Sequence, residues 1–460
     1  MSKNKFLIIL CLIYLVCRVI LSNSVYIFDD AFITFRYAEN FINGYGLIYN
    51  LNENFLGVST PLYLVFCSLL TFLNINLPSY MFIFNSLFEI CSILIIIKLF
   101  SIKLERDIFF IFLVIICSPY ILRVTLGGME ANLFFLFSIY SIFLLQREKY
   151  IYTTILASIN CFVRPEGIIL VLVIFGYLIS TNERKQLIKL TLIGGIIALV
   201  GLSIIYLNYG SILPQSILAK SELKGISIFE VIASIFWKDK LTLLLLIPSI
   251  IYFYQNRYNK TLLLIGIWIF SFISFYIITK PLVWTWYCYP IWFIISITGI
   301  LQLLNFISKF NFNFNKIKYL VMVIPILFSI TIYYFIPNKV ENNIYKELES
   351  YFYNFDSHQY TIYANDIGAI GYFSKQFIFD SESLIHNVAN KYKNKEDIVI
   401  YKKPDYLFIN NTSMNLEILK NELINYKFIR TFSSTGNTEF PKIHPKYWTQ
   451  EYLLYKKIKN

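Results

Sequence analysis

Charge is scarce in this chain. Of its 460 residues, 15% are charged and 57% hydrophobic, with a mean hydropathy of +0.60. One soluble core could not hide so much apolar surface, which excludes a single soluble globule and makes the bilayer share the burial. Histidine is nearly absent. His358, His386 and His444 are scattered over the C-terminal stretch, which argues against a histidine-based zinc site. None of the seven cysteines (Cys11, Cys17, Cys67, Cys91, Cys117, Cys161, Cys288) lies in that stretch or at metal-ligand spacing, so they read as small buried hydrophobes. No GxxxxGK[ST] and no GxGxxG after a strand occurs, so no nucleotide-phosphate cradle is expected. The net charge of +12 sits in short clusters between apolar runs, the pattern that orients helices, and no nucleic-acid partner is expected.

Long apolar runs are what the chain has instead. Candidate spans are 5–22, 80–98, 108–122, 131–146, 150–163, 166–181, 187–207, 241–254, 261–279, 286–304 and 317–336. The first lacks a small-x-small cleavage site and is interrupted by Arg18, so it should stay as a helix. With eleven crossings, Lys3/Lys5, Lys98/Lys103/Arg106, Arg147/Lys149, Arg184/Lys185/Lys189, Arg257/Lys260 and Lys309/Lys316/Lys318 all fall on the cytoplasmic side. A full crossing by the apolar stretch 60–76 would move every later cluster outside. That stretch, opening at Thr60-Pro61, is therefore expected as a juxtamembrane or re-entrant helix of the outer leaflet. Trp284, Trp286 and Tyr287 would anchor the outer interface. The predicted architecture is an all-α polytopic membrane domain over 1–336, with about eleven transmembrane helices plus juxtamembrane helices. A water-soluble extracytoplasmic α/β domain follows over 337–460.

This topology collects the unusual polar residues on one face. The first outer loop contains Asp29-Asp30, with Asp30 as cap of a helix to about Ile42 that carries Arg36 and ends at Gly44 and Gly46. Phe32, Phe35 and Phe41 would lay that helix on the membrane surface. Arg123 precedes Gly127-Gly128-Met129-Glu130. Two short helices meet at Arg164-Pro165-Glu166-Gly167. Leu213-Pro214-Gln215-Ser216 precedes Lys220, and Arg18 lies near the outer end of the first helix. Each has a structural alternative: Asp30 as a cap, Arg18 snorkelling, Glu130 at a helix N-terminus, Arg164 pairing with Glu166. Their shared side favours a site. A carboxylate there can deprotonate an acceptor hydroxyl, and cations can bind a departing phosphate. A lipid carrier presents its phosphate at such a surface, whereas nucleotide sugars are rarely met there.

The run from Asp29 to Asn50, together with Gly127–Glu130, Arg164–Gly167, and Leu213-Pro214-Gln215 with Lys220, resembles the GT-C glycosyltransferase superfamily. Within it the similarity is to bacterial arabinofuranosyltransferase-like envelope transferases. The C-terminal run Asp366–Phe373 followed by Phe379-Asp380 also resembles that group. The resemblance implies an inverting transfer from a polyprenyl-phosphate sugar to a glycan, lipid or protein acceptor in a bacterial inner membrane. Asp29 would be the base and Asp30 its close second, with Glu130 at a second acidic position. Arg36, Arg164, Glu166, Gln215, Lys220, Arg18 and Arg123 would bind substrate. Some relatives hold a divalent cation near the position of Glu130 and many do not, so no cofactor is assigned and a divalent cation is left open.

In the C-terminal stretch, 340–355 reads as helix or linker. Strands are expected at Thr361–Ala364, Phe377–Phe379, Ile398–Tyr401 and Tyr406–Ile409, and a helix at Asn415–Asn425. Asp366 with Gly368 and Gly371 reads as a turn with close helix packing more readily than as a site. Glu89, with Asn85 a turn earlier, reads as an interhelical polar pair rather than an ion relay. Two other functions compete with the transferase. A transporter or flippase of lipid-linked glycans predicts internal repeats, and none is seen. A non-catalytic envelope assembly or sensor protein predicts that Asp29→Asn is harmless.

Overall fold

The computed structural model describes residues 3–22, 27–181, 183–217, 227–309, 344–385, 397–410, 420–433 and 451–458. Lys220, the expected span 317–336, His386, His444 and residues 415–419 of the expected helix 415–425 lie outside these, while Lys420–Leu423 within it is helical. The chain forms two compact units. The first comprises Met1–Tyr26, Ser79–Ser203 and Leu223–Ile336, the second Ile27–Pro78, Ile204–Glu222 and Pro337–Asn460.

The first unit is helical. Its helices include α1 (Lys3–Leu21), α4 (Leu77–Leu99, begun in the second unit), α5 (Glu105–Cys117), α6 (Pro119–Leu126), α7 (Ala131–Gln146), α8 (Tyr150–Val163), α9 (Gly167–Ser180) and α10 (Arg184–Tyr209, ending in the second unit). Lys240–Gln255, Lys260–Thr279 and Tyr289–Lys309 follow. Among the described residues, five helices are long and apolar enough to cross a membrane: Lys3–Leu21, Leu77–Leu99, Lys185–Tyr209, Lys260–Thr279 and Thr285–Lys309. Eleven crossings would require the bent pair α5–α6 and the span 317–336, which lies outside the described residues, to count as well, together with four shorter helices, α7, α8, α9 and Lys240–Gln255. These have 14 to 16 residues, short of the ~20 that a 30 Å hydrocarbon core needs.

The expected span 108–122 is broken. Chain direction changes by 68° between α5 and α6. Pro119 lacks an N–H and biases Ser118 toward an extended backbone. The Ser118 hydroxyl accepts the Ile121 N–H to start α6 and donates to Asp239, 3.2 Å away. Trp286, expected as an interfacial anchor, is instead 4% exposed and stacks on Trp284.

The second unit is built on α2 (Asp29–Ile42). This helix ends where expected but begins two residues early, so Asp30 lies in its first turn and Phe28 occupies the cap position. Phe32 and Phe35 do not face a membrane. Both are fully buried, and Phe32 packs among Tyr345, Tyr372 and Phe373 at 4.9–5.5 Å between ring centres, while Phe41 is exposed. Helix α3 (Pro61–Phe72) has 12 residues, too short to cross. It buries Tyr63, Leu64, Cys67 and Leu70 and leaves Val65, Leu69 and Phe72 exposed. That apolar outer face is what a helix lying against lipid requires.

The C-terminal stretch forms a five-stranded mixed sheet of order β2-β1-β3-β5-β4. Its strands are β1 (Thr361–Ala364), β2 (Phe377–Asp380), β3 (Tyr406–Asn410), β4 (Tyr426–Ser433) and β5 (Glu451–Lys457). The first three are parallel; β5 pairs antiparallel with β3 and β4. Ile344–Phe352 is a helix that buries Ile344, Leu348 and Phe352 along one stripe. The expected strand 398–401 is a helix, Asp397–Lys402. Its adjacent Ile398 and Val399 are both buried in one cluster with Tyr363, Leu407, Ile409 and Tyr426, which a strand with one buried face would not allow.

Candidate functional site

In the second unit, Asp29 opens α2 and turns toward the helix Gly368–Ser374. Its two carboxylate oxygens accept the N–H groups of Gly368 and Ala369, each at 2.8 Å. The glycine is required by closeness, since a Cβ on Gly368 would collide with the Asp29 carbonyl oxygen. A Cβ on Gly371 would likewise strike the Tyr49 hydroxyl. The reading of this run as a turn with close helix packing therefore holds.

It also carries a third acid to the pair. Asp366 accepts hydrogen bonds from the Tyr452 hydroxyl and from Asn410 Nδ2, the latter at 3.4 Å. Burial pushes the Asp29 carboxyl up to about 7. The nearby Asp366 and Asp30 add to the rise, and the two backbone N–H groups oppose it. Burial likewise raises Asp366, against its bonds from Tyr452 and Asn410.

Much of the run from Asp29 to Asn50 holds the C-terminal stretch. Arg36 is buried, donates to the carbonyls of Gly371 (2.9 Å) and Gln376 (2.7 Å), and lies over the Tyr49 ring at 4.1 Å. The Asn50 side chain pairs with β2 as a strand would, donating to the Ile378 carbonyl at 2.9 Å and accepting its N–H at 3.0 Å. Tyr49 donates to the Ile367 carbonyl and Lys375 pairs with Glu39. Gln215 is half-buried, and its backbone N–H donates to the Leu56 carbonyl at 2.8 Å.

In the first unit, two expected motifs meet. Helices α7 and α8 pack antiparallel, and Asn160 on α8 donates to the Phe134 carbonyl and Ser138 Oγ of α7. This brings Glu130, at the start of α7, to Arg164, at the end of α8. The guanidinium pairs with Glu130 at 3.2 Å and Glu166 at 2.8 Å, and all three side chains are largely buried. Tyr276 donates to Glu166 at 3.0 Å, and the Tyr287 ring lies 4.4 Å from the guanidinium. Glu130 occupies the cap position of α7 without a capping hydrogen bond, so pairing with Arg164 is its observed role.

Arg18 does not snorkel. It is fully buried, bonds Tyr14 at 2.7 Å and the carbonyls of Ile115 and Ile116, and faces Glu89 at 3.5 Å. Glu89 also accepts from Tyr14 and from Thr125 at 2.6 Å. The interhelical polar reading of Glu89 thus holds, although Asn85 bonds the carbonyls of Thr125 and Met129 instead of Glu89. Arg123 is half-buried in the last turn of α6. No group of three or more His, Cys, Asp or Glu among the described residues could hold a metal ion. Sequence reasoning missed Tyr276, Asn410 and Tyr452, each a common residue with no local motif around it.

Against solved structures, the chain superposes over its whole length on ArnT from Cupriavidus metallidurans. The form bound to undecaprenyl phosphate gives a TM-score of 0.65 at 9% identity, covering 100% of this chain and 99% of that one. The apo form gives 0.63 at 10%, with the same coverage. The chain has the GT-C fold. The Archaeoglobus fulgidus oligosaccharyltransferase, solved with zinc and sulfate, matches at 0.56 and 12% identity over 88% of this chain and 68% of that one. Residues 342–455 match a family model described as a domain of unknown function (DUF8728). No curated protein matches in sequence. The fold and the apolar helices together make this a membrane protein with a small C-terminal sheet.

Proposed function

We propose that the chain is a membrane glycosyltransferase moving a sugar from a polyprenyl-phosphate carrier to a hydroxyl of a cell-envelope glycan, lipid or protein, with inversion at the anomeric carbon. The observation that carries this reading is the whole-length fold likeness to ArnT, a protein crystallised with undecaprenyl phosphate. In the step, a carboxylate of Asp29–Asp30 takes the acceptor proton and the freed oxygen bonds the anomeric carbon. The bond from that carbon to the phosphate oxygen breaks, and its electron pair leaves with the polyprenyl phosphate. A carboxyl raised to about 7 suits the base role at neutral pH. Each Asp29 oxygen accepts one N–H and keeps a lone pair for this task.

Arg164, Arg123 and Lys220 are assigned to the phosphate, with Glu130 and Glu166 holding the Arg164 fork. Arg18 and Arg36, whose donors go to buried partners, are assigned as struts. We place the protein in the bacterial inner membrane, N-terminus inside, with Ile27–Pro78, Ile204–Glu222 and the C-terminal stretch on the outer face. Positive-inside reasoning sends these three separate stretches to one side, and their membership of one compact unit supports that. Eleven crossings satisfy this parity.

One observation favours a non-catalytic reading: Asp29 also behaves as a helix cap, with both oxygens on backbone N–H groups. Reconstitution in liposomes with radiolabelled polyprenyl-phosphate sugars separates the two. Release of polyprenyl phosphate by the wild type, and its loss in Asp29→Asn and Asp30→Asn, is the expected result. Undiminished release in both variants would remove the pair from the chemistry.

A further inference from the structure

The C-terminal domain does more than sit beside the expected base. Its helix Gly368–Ser374 supplies both N–H groups that orient the Asp29 carboxylate, and the residue two positions upstream of Gly368 is another acid. Asp366 has no cation to neutralise it among the described residues; the Tyr452 hydroxyl on β5 and the Asn410 amide on β3 hold it. Three sheet elements, β1, β3 and β5, thus converge to fix a carboxylate that interacts with Asp29 and Asp30. A plain helix cap needs none of this, since the two N–H bonds to Asp29 already complete it.

We infer that Asp366, held by Tyr452 and Asn410, is a positioning residue for the Asp29–Asp30 pair, making the C-terminal domain part of the acceptor-activating machinery. The inference rests on the transferase reading above. The physical link is like-charge repulsion. A carboxylate near the pair favours the protonated form of its neighbours, so the base is half-charged closer to neutral pH. The groups facing Asp29 are Asp30 on its own helix, Asp366 from the β1–helix turn, and the hydroxyls of Tyr49 and Tyr452. Glu382 in turn faces Asp366. Tyr49 and Tyr452 stay neutral throughout the working range, which leaves Asp366 as the titrating partner of Asp29.

The test has two readouts on full-length protein in liposomes. One is carbodiimide labelling of the Asp29 carboxyl against pH, read by mass spectrometry, because carbodiimide attacks the protonated acid and needs no turnover. The other is the acid limb of the transfer rate. Asp366→Asn should move both midpoints down by about one pH unit. Tyr452→Phe should move them the same way by less, because Asp366 then takes its own proton more readily. The control is Asp405→Asn, which loosens the same sheet by weakening the charge-assisted contacts of Asp405 to the Thr361 N–H and hydroxyl without touching the pair. It should leave both midpoints in place. Unmoved midpoints in Asp366→Asn, or an equal shift in Asp405→Asn, would overturn the inference while leaving the transferase reading intact. A labelling shift in a wild-type background that transfers no sugar would instead remove the transferase reading, and the positioning role with it.

Discussion

The two units bury charge in opposite ways. In the first, the buried arginines of the motifs meet acids: Arg18 meets Glu89, and Arg164 sits between Glu130 and Glu166. In the second, Asp29 and Asp366 are held by dipoles (two backbone N–H groups, an amide and a hydroxyl) and lie near one another. A neutralised pair between helices is a structural solution, because removing water from both charges is tolerable only when they find each other. Acids gathered with only dipoles for company have their proton affinity raised, which costs stability and is useful for proton transfer. The comparison assigns proton transfer to the second cluster and, to the first, the holding of Arg164, proposed above for the phosphate.

The sharpest way to break that assignment is at the acids. Asp29→Asn and Asp30→Asn should each lower the transfer rate by about 10²–10⁴-fold, the range for a lost general base, with normal membrane insertion. Insertion is read by fractionation and the rate by polyprenyl phosphate release. Next in size, Arg164→Ala should cost about 3–5 kcal/mol, since two buried carboxylates lose their cation. A melt in detergent measures this. Adding Glu130→Gln and Glu166→Gln to the same variant should recover most of the loss, and no recovery would argue that the cluster does more than neutralise itself.

Gly368→Ala should cost about 1–3 kcal/mol by forcing the C-terminal helix off the Asp29 carbonyl. A wild-type melting temperature in that variant would show that the close approach is not maintained. The smallest effect is in the pH dependence of stability. Asp29 titrates higher in the folded protein than the ~3.9 of an unfolded chain, so between about pH 4 and 7 the folded state holds the extra proton. Its contribution is full below the unfolded value and fades as pH rises to about 7. Asp29→Asn should flatten that part of the curve; an unchanged slope would mean that Asp29 ionises normally.

Helix positions were largely readable from apolar runs. Residues 131–146 and 150–163 match α7 and α8 at both ends, because long uninterrupted apolar runs have one economical conformation in lipid. The kink at Ser118 was readable too, in Ser-Pro, yet hydropathy alone averaged over it. The strand reading of 398–401 failed because a short apolar run fits helix and strand equally, and contact with Tyr363 and Leu407 decided between them. Strands β4 and β5 escaped notice, being rich in Lys, Tyr and Arg, with their stability supplied by pairing to each other and to β3.

The site divides along the same line. The motifs that sequence order supplied, Asp29-Asp30, Glu130 and Arg164-Pro165-Glu166, are present where local structure puts them. Their partners lie far along the chain: Gly368 and Ala369 for Asp29, Tyr452 for Asp366, Tyr276 for Glu166. The run from Asp29 to Asn50 carries the family resemblance, and within it Phe32, Arg36, Tyr49 and Asn50 chiefly bind the C-terminal stretch.

By itself the sequence determined that this is a membrane protein of many helices with a more polar C-terminal stretch, because hydrophobic run length and basic clusters act locally against the bilayer. Only the tertiary structure decided which acids are neutralised and which are held by dipoles near one another. A carboxylate's charge depends on what lies within a few ångströms of it, and for Asp29 those neighbours come from more than 300 residues away.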